Sequence, residues 1–355
     1  MIFENDGLRI AIVTIISFVI TYISIPSIVR VANLKHLFDE PNERASHTSK
    51  VPTLGGLAVF AGFVISSLIF IDSFKMPEIK YIIAGVVILF FVGIKDDILI
   101  IAPITKLIGQ IFSASVIIYF TDIRITDLHG LFGINTIPDY IGFPLTIFTI
   151  IVITNGFNLI DGIDGLAGGV SILVSLSLAW WFFAIGKIEL VVLSMALVGS
   201  ILAFLRFNLF SYTRKIFMGD TGSLIIGLLI SVLIIKFNEI NTKHDFEQAI
   251  WGAPAVSFGI LIIPLFDTLR VMFIRLLSGR SMFKPDKNHI HHMLLNCGFS
   301  HKKATLSLIL VNIFFIIFVY FMHPILRTRT LITLTFLLAM IIFYLPTFFS
   351  KKIKK

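Results

Sequence analysis

The chain has 355 residues, of which 57% are hydrophobic and 14% are charged, and its mean hydropathy is +0.96. Charged residues make up about a quarter of an ordinary soluble domain, so this composition excludes one and indicates an integral membrane protein. The formal net charge of +8 is then a sign of membrane topology and of attraction to anionic lipid or substrate, and no nucleic-acid partner is expected.

Apolar segments long enough to cross a bilayer recur along the whole chain. A hydrocarbon core of about 30 Å needs about 20 apolar residues in a helix. Eleven candidate segments are found, at 8–31, 54–72, 79–94, 104–121, 141–154, 169–186, 188–205, 222–236, 251–274, 304–322 and 330–348. We therefore expect one all-α membrane domain, 1–355, with about eleven transmembrane helices.

The distribution of lysine and arginine predicts the orientation in the membrane. Of the 29 lysine and arginine residues, 20 fall on one side of the eleven predicted spans. The positive-inside rule makes this side cytoplasmic, so we expect the N-terminus outside and the C-terminus in the cytoplasm. The cytoplasmic loops that would form a site are then 32–53, 95–103, 155–168, 206–221 and 275–303.

The first two cytoplasmic loops carry charged motifs. Arg44 and His47 lie three residues apart in a polar loop, which fits either an anion-binding group or a solvated juxtamembrane cluster. At the end of the third span Asp96 and Asp97 are adjacent, with Lys106 beyond them. Successive residues on a helix point about 100° apart, so one carboxylate can face a site while the scaffold holds the other. Because charges at a membrane boundary usually mark a site, we interpret this pair as functional.

The third cytoplasmic loop holds a polar stretch broken by glycines, NGFNLIDGIDGLAGG at 155–169. Its polar side chains, Asn155, Asn158, Asp161 and Asp164, recur every three residues. In a regular helix each such step lags by about 60°, so only neighbouring pairs could face one ligand, whereas a helix broken at the glycines would align more of them. Amide and carboxylate oxygens suit a hard cation such as Mg²⁺. The alternative is a re-entrant turn whose polar groups only face water.

A second acidic motif follows two predicted spans later, in FMGDTGSL. Asp220 lies between glycines at the predicted start of the helix over 222–236. Free backbone N–H groups and the positive dipole end make this a favourable place for phosphate oxygens. A helix-capping role for Asp220 is the alternative, and the two roles are compatible.

The longest cytoplasmic loop contains three histidines in four positions, His289, His291 and His292. In a helix only the first and third would share a face, which weakens a metal site. Lysine and arginine residues nearby make the region electropositive and favour a diphosphate over a cation. Asp267, inside the ninth predicted span, is expected to pair structurally with Arg270 or another nearby arginine.

Together these motifs resemble the polyprenyl-phosphate N-acetylhexosamine-1-phosphate transferases of glycosyltransferase family 4. The matching runs are PTLGG at 52–56, the paired aspartates with Lys106, the stretch 155–169, FMGDTGSL at 217–224 and DKNHIHHMLL at 286–295. The resemblance implies a multi-pass enzyme of the bacterial inner membrane with its active site facing the cytoplasm. Such an enzyme uses a UDP-N-acetylhexosamine and Mg²⁺, or Mn²⁺, to load polyprenyl phosphate and release UMP.

The resemblance also implies roles for individual residues. Asp220 and Asn158 are expected to bind the metal, and Asp96 and Asp97 to be catalytic. Substrate contacts are expected from Lys106, Asn155, Asp161, Asp164, Asn208, His289, His291, His292, Arg44 and His47.

The HIHH pattern resembles the branch of the family that transfers GlcNAc-1-phosphate, in the first membrane step of cell-wall or lipopolysaccharide synthesis. The alternatives are a phospho-MurNAc-pentapeptide transferase and a transporter of nucleotide sugars or lipid-linked anions. A transporter should carry charges near the middle of the membrane, whereas these clusters lie at one boundary. A homodimer is left open.

Overall fold

The computed structural model describes residues 5–38, 51–99, 101–211, 213–243, 246–277, 279 and 289–353. Within these residues the chain forms thirteen α-helices and no β-strand, only isolated bridges such as that between Asp127 and Thr136. The helices are α1 (Asp6–Lys35), α2 (Gly55–Phe70), α3 (Ile79–Leu99), α4 (Pro103–Phe120), α5 (Asp139–Ile160), α6 (Leu166–Ala184), α7 (Ile188–Phe210), α8 (Gly219–Ile240), α9 (Ala253–Ile260), α10 (Ile262–Leu277), α11 (Ile290–Asn296), α12 (His301–Met322) and α13 (Thr328–Ile353). The predicted all-α fold is confirmed. Arg44 and His47 lie outside the described residues.

Most of these helices are suited to cross a membrane. Among the described residues, eight are long and apolar enough by themselves, and α9 with α10 would make a ninth span. The chain is therefore a multi-pass membrane protein. Even segments rich in isoleucine and valine are helical, because in lipid every backbone group must find its hydrogen bond within the segment. All eleven predicted segments overlap a helix or a helix pair. The exact count of eleven spans stays a prediction.

The predicted span over 251–274 is not one continuous helix. This segment forms two helices, α9 and α10, that are bent by 82° at their junction. Pro264, which has no backbone N–H, cannot donate to the carbonyl of Ile260, and its ring crowds that carbonyl. The Ile260 carbonyl instead accepts a hydrogen bond from Asn312 Nδ2 of α12, at 3.1 Å. A neighbouring helix thus satisfies the polar group that the break exposes.

Helices α7 and α8 form the centre of the bundle. In each of them 78% of the most apolar 18-residue window is buried, as expected for helices that are hydrophobic on all sides. Helix α8 packs against α2, α3, α5 and α6, and α7 packs against α1, α2 and α6. The first turn of α8 is therefore surrounded by the ends of other helices, and the polar motifs of the chain meet there.

The start of α2 and the end of α3 lie unusually close to the first turn of α8. The N–H groups of Gly55 and Gly56 donate to the carbonyls of Phe217 and Met218, at 2.9 and 2.8 Å. A Cβ atom at Gly93 of α3 would lie 2.4 Å from a Cα atom of α8, a distance that no side chain tolerates. The glycines of PTLGG and of α3 thus permit the close approach that assembles the site.

A buried ion pair joins the end of α2 and the start of α7 to the start of α1. The guanidinium of Arg9 donates to both carboxylate oxygens of Glu189 and to the carbonyl of Phe70. Glu189 also accepts the N–H of Asp72 at 2.9 Å. Both charged side chains are therefore hydrogen-bonded, as burial in a low-dielectric interior requires.

Candidate active site

A lysine bridges two carboxylates from different helices at the centre of the polar region. Lys106 Nζ of α4 lies 2.5 Å from Asp96 Oδ2 of α3 and 2.6 Å from Asp220 Oδ2 of α8. Asp96 is buried, and its other oxygen accepts the N–H of Ile101 at 2.7 Å. Residues from three different helices are thus brought together.

The adjacent Asp97 makes a different set of contacts. Its Oδ1 accepts the backbone N–H of Asp220 at 2.7 Å, and its Oδ2 accepts the N–H and the hydroxyl of Thr221 at 3.1 and 2.6 Å. A carboxylate of α3 therefore caps the N-terminus of α8. Our expectation that the N–H groups at the start of this helix are free for phosphate is wrong for these two, because Asp97 already occupies them.

The two amides of the central stretch, one turn apart, serve different neighbours. Asn158 Nδ2 donates to the carboxylate of Asp220 and, at 2.9 Å, to Ser223 Oγ. Asn155 exchanges hydrogen bonds with the side-chain amide of Gln110 on α4, at 2.9 and 3.3 Å. Asn158 thus lies with Asp220, whereas the amide of Asn155 is engaged between α4 and α5.

The stretch 155–169 is not one helix. Helix α5 ends at Ile160, and α6 begins after Gly165, whose φ of 77° lies in the left-handed region that favours glycine. In the turn between them, the Asp164 carboxylate pairs with Lys215 Nζ at 2.6 Å. The Asp164 carbonyl accepts from Thr305 Oγ1 at 2.7 Å, so this turn is held by α12 and by the segment before α8.

Asp161 lies in the same turn, and its surroundings favour the protonated form. Burial raises the pKa of its carboxyl well above the usual range, and the negative charges of Asp220, Asp97 and Asp164 raise it further. These four carboxylates thus form an acidic group in which Lys106 and Lys215 are the paired cations. An additional cation would lower the free energy of this group.

The three histidines do not share one helix face. His289 is the N-cap residue of α11, with extended backbone, so it lies outside the helix that carries His291 and His292. The rings of His289 and His291 instead lie nearly parallel, with centroids 5.8 Å apart, and those of His291 and His292 are 4.2 Å apart. We call His289, His291 and His292 the histidine row.

His291 connects the histidine row to the central stretch. It is 1% exposed, and its Nε2 would lie only 2.5 Å from a Cβ atom at Gly162. Within the described part of the chain its ring nitrogens have no hydrogen-bond partner. Burial lowers the pKa of His291 to about 3, and the neighbouring His292 lowers it as well, so the ring is neutral at physiological pH.

Asn208 lies on the last turns of α7 and is also buried. Its Nδ2 donates to the carbonyl of Ile216 at 2.9 Å, and its Oδ1 has no hydrogen-bond partner among the described residues. The donor side of this amide thus holds the segment that leads into α8. Its substrate-binding role stays a prediction, as do the roles of the other predicted site residues.

The donor atoms around Asp220 fit a magnesium ion. No three His, Cys, Asp or Glu side chains form a metal-holding group within the described ranges. Mg²⁺, however, usually takes one or two protein carboxylates and completes its shell with water and phosphate oxygens. The Asp220 carboxylate supplies hard oxygen donors of this kind, and the Asn158 side chain, whose NH₂ group faces Asp220 in this structure, also carries an amide oxygen. The ammonium of Lys106 shows that a cation is accommodated beside Asp220.

Comparison with known proteins decides the family. A sequence model of glycosyl transferase family 4 matches residues 79–238. A probable undecaprenyl-phosphate N-acetylglucosaminyl 1-phosphate transferase of Bacillus subtilis (strain 168) is 30% identical over 317 residues, which are 88% of this chain and 84% of the relative. The chain belongs to glycosyl transferase family 4.

Two further relatives of the transferase carry closely related names. The undecaprenyl-phosphate alpha-N-acetylglucosaminyl 1-phosphate transferase of Escherichia coli (strain K12) is 31% identical, with 78% of this chain and 73% of the relative aligned. That of Salmonella typhi is 32% identical, with 76% and 71% aligned. The transferase is therefore an enzyme, and the alternative of a transporter is dropped.

Several partners of the site residues were not predicted from the sequence. Gln110 lies four residues after Lys106 on α4, so helical periodicity could have placed it on the same face. Thr221 and Ser223 were visible in the FMGDTGSL motif, but the sequence alone does not reveal that they bind Asp97 and Asn158. Lys215, the partner of Asp164, carried no signal that distinguished it from other basic loop residues.

Proposed function

We propose that the transferase moves N-acetylglucosamine 1-phosphate from UDP-N-acetylglucosamine to undecaprenyl phosphate and releases UMP. The three relatives described above have this lipid phosphate and this sugar phosphate in their names. The observation that carries the proposal is the Lys106 ammonium held between Asp96 and Asp220 at the ends of membrane helices. A cation and carboxylates at a membrane boundary suit the transfer of a phosphoryl group to a lipid.

The location of the site is part of the proposal. We infer eleven spans, with an N-terminus outside and a C-terminus in the cytoplasm. They are the eight helices that are long and apolar enough by themselves, the bent pair α9 and α10 taken as one span, and α2 and α3. The excess of lysine and arginine on one side supports this orientation. The site would then face the cytoplasm at the bacterial inner membrane, where UDP-sugars are available, and would start the synthesis of a cell-envelope polysaccharide such as lipopolysaccharide.

In the proposed reaction an oxygen of the lipid phosphate attacks the phosphorus that carries the sugar. The new P–O bond forms as the bond from this phosphorus to the bridging oxygen of the diphosphate breaks, and UMP leaves with that oxygen and the electron pair. A phosphate monoester with a second pKa near 6 is already mostly ionised at neutral pH, so little help from a base is needed. Positioning and charge neutralisation therefore supply most of the rate.

The contacts of the two adjacent aspartates suggest a division of labour. Asp96 lies beside Lys106, so it would orient the acceptor phosphate or the ammonium that binds it. Asp97, with three hydrogen bonds to the first turn of α8, would hold Asp220 in place and would not touch the reacting atoms. Lys106 would offset negative charge on the phosphates as the transition state forms.

Asp220 and Asn158 are the proposed holders of Mg²⁺, and Mn²⁺ would fit the same donors. When bound, the cation would offset charge on the donor diphosphate. On the other side of the site the histidine row would contact the diphosphate as neutral or charged hydrogen-bonding groups. Asp161 and Asp164 would form the wall beside it, in the turn that follows α5.

The proposal is tested by UMP release. Purified protein with undecaprenyl phosphate, UDP-N-acetylglucosamine and Mg²⁺ is expected to release UMP, and the lipid product should carry the mass of one sugar phosphate. A panel of UDP donors, including UDP-MurNAc-pentapeptide, would identify the sugar. No UMP from any UDP-N-acetylhexosamine, together with an Asp220→Asn variant that is normal in cells, would overturn the proposal.

Lys106→Gln is the sharpest variant for the same assay. Its amide keeps most of the side-chain length but removes the charge between two carboxylates, so we expect a loss of about a hundredfold in rate. A matched control is Lys236→Gln, which breaks an ion pair with Glu78 near the other end of the bundle. The control should keep nearly full activity. Equal activity of the two variants would contradict the role given to Lys106.

A further inference from the structure

We propose that Asp267, on α10, is a positioning residue that holds the histidine row in place for catalysis. The idea rests on the proposed function, because it assumes that the histidine row meets the donor diphosphate. Asp267 itself is fully buried, and its hydrogen bonds join it to Arg270 of α10 and to the start of α11, so it would act through other groups.

The contacts of Asp267 tie α10 to the start of α11. Its Oδ2 lies 2.9 Å from His289 Nδ1, and its Oδ1 accepts the backbone N–H of Ile290 at 2.9 Å. Oδ1 also accepts from the guanidinium of Arg270 at 3.0 Å. A carboxylate with these donors is ionised and can only accept, so His289 Nδ1 carries a proton. The orientation of the ring is thereby fixed, and Nε2 is the nitrogen left for a ligand.

Helix α11 depends on this carboxylate for its position. It has only seven residues, from Ile290 to Asn296, and a helix of that length is not stable by itself. His289 occupies the N-cap position but makes no side-chain capping hydrogen bond. The Asp267 carboxylate accepts the first N–H of α11 in its place, from a different helix. Removing the charge would therefore release both the ring of His289 and the first turn of α11.

The effect would reach the site through the histidine row. The ring of His289 is nearly parallel to that of His291, at an angle of 7°. The ring of His291 in turn packs against Gly162, in the turn that contains Asp161. A contiguous set of packed groups thus leads from a carboxylate inside α10 to the acidic turn. A shift at its buried end is expected to change the placement of all three rings.

The only cysteine of the chain gives a direct readout of this positioning. Cys297 is the C-cap residue of α11 and is half-buried. We expect Asp267→Asn to raise the rate at which a maleimide labels Cys297 by about fivefold or more, because α11 would open more often. A Cys297→Ser variant confirms that labelling occurs at this residue, and Glu78→Gln serves as a control carboxylate at the other end of the bundle. An unchanged labelling rate in Asp267→Asn would overturn the proposal.

A double-mutant cycle on UMP release tests whether Asp267 acts through His289. We expect Asp267→Asn and His289→Ala each to lower kcat/KM by about tenfold or more. The kcat/KM of the double variant should lie within about threefold of that of the less active single variant, because both changes remove the same interaction. Two independent effects that multiply would indicate a merely structural carboxylate and would contradict the proposal.

The labelling of Cys297 can also be measured in a second variant, and it does not depend on the proposed function. If Asp267→Asn does not fold, His289→Ala must still accelerate labelling of Cys297, because it removes the other partner of the same contact. A His289→Ala variant that is labelled at the wild-type rate would contradict the proposal. The labelling assay needs no substrate. A wild-type protein that releases no UMP would therefore refute the proposed function, whereas unchanged labelling would refute only the role of Asp267.

Discussion

Replacing Asp97 by asparagine, and its partner Thr221 by valine, distinguishes a carboxylate that takes part in the chemistry from one that holds a helix. Asp97 accepts three hydrogen bonds from the first turn of α8, two from backbone N–H groups and one from the Thr221 hydroxyl. Asparagine keeps one acceptor oxygen and turns an NH₂ group towards donors. Valine keeps the shape of threonine and removes only the hydroxyl.

The contacts set the expected magnitudes. In Asp97→Asn the N–H of Thr221 loses its acceptor, which costs about 1–3 kcal/mol, and the start of α8 loses a negative charge worth about 0.3–1 kcal/mol. Thr221→Val removes one hydrogen bond to a charged group, worth about 1.5–3 kcal/mol. Because Asp220 is the neighbour of Thr221 in the same turn, both variants should displace its carboxylate. A displacement of about 1 Å can lower a rate about a hundredfold.

The assay combines thermal unfolding in detergent with UMP release. Both variants are expected to unfold at lower temperature than the wild type and to lose activity together. Thr149→Val is the control, because the Thr149 hydroxyl donates to a carbonyl of its own helix, that of Leu145. The reasoning would be refuted if Asp97→Asn were inactive but unfolded at the same temperature as the wild type, while Thr221→Val kept full activity. Asp97 would then be a reacting group.

Three further predictions concern packing, pH and charge. Gly56→Ala should abolish UMP release, because its Cβ would lie 2.1 Å from a backbone nitrogen of α8, whereas Gly252→Ala, with no neighbour closer than 3.8 Å, should stay active. The raised pKa of Asp161 means that its ionisation destabilises the folded state increasingly as pH rises above the ordinary value of 3.8. Asp161→Asn should therefore unfold at a higher temperature than the wild type at about pH 8 in chelator, with no gain at about pH 4; a gain that does not depend on pH would contradict the sign. Arg9→Gln should cost about 3–5 kcal/mol of stability, because it leaves the buried charge of Glu189 unpaired. The double variant with Glu189→Gln should lose clearly less stability, since no buried charge is then unpaired. Equal losses of the two variants in thermal unfolding would contradict this prediction.

The grouping of the polar motifs could be expected from the sequence, but the partner of each side chain could not. The sequence predicted through its motifs that Asp96, Lys106 and Asp220 lie in one site, and in the structure Lys106 Nζ lies within 2.6 Å of a carboxylate oxygen of each aspartate. It could not distinguish Asp96 from Asp97, because adjacent residues on a helix differ only in direction. The direction in which each carboxylate points has a consequence only when another helix is close enough to bind one of the two.

The histidines show the same limit in a different form. A helix over the HIHH motif would pair His289 with His292, but His289 lies before the helix and binds Asp267 of α10. The preference of one residue for a cap position over a helical one is a difference of about 1 kcal/mol. A buried carboxylate on another helix easily outweighs such a difference. No local pattern in the sequence contains that information.

The sequence by itself determined the class of the protein, because hydropathy and length decide whether a segment is helical in lipid, and these are local properties. It also determined which residues are chemically capable of a phosphate and metal site. The tertiary structure alone decided the bend between α9 and α10, the capping of α8 by Asp97 and the placement of the histidine row. These features depend on contacts between distant segments, in which a polar group freed by one helix is satisfied by another.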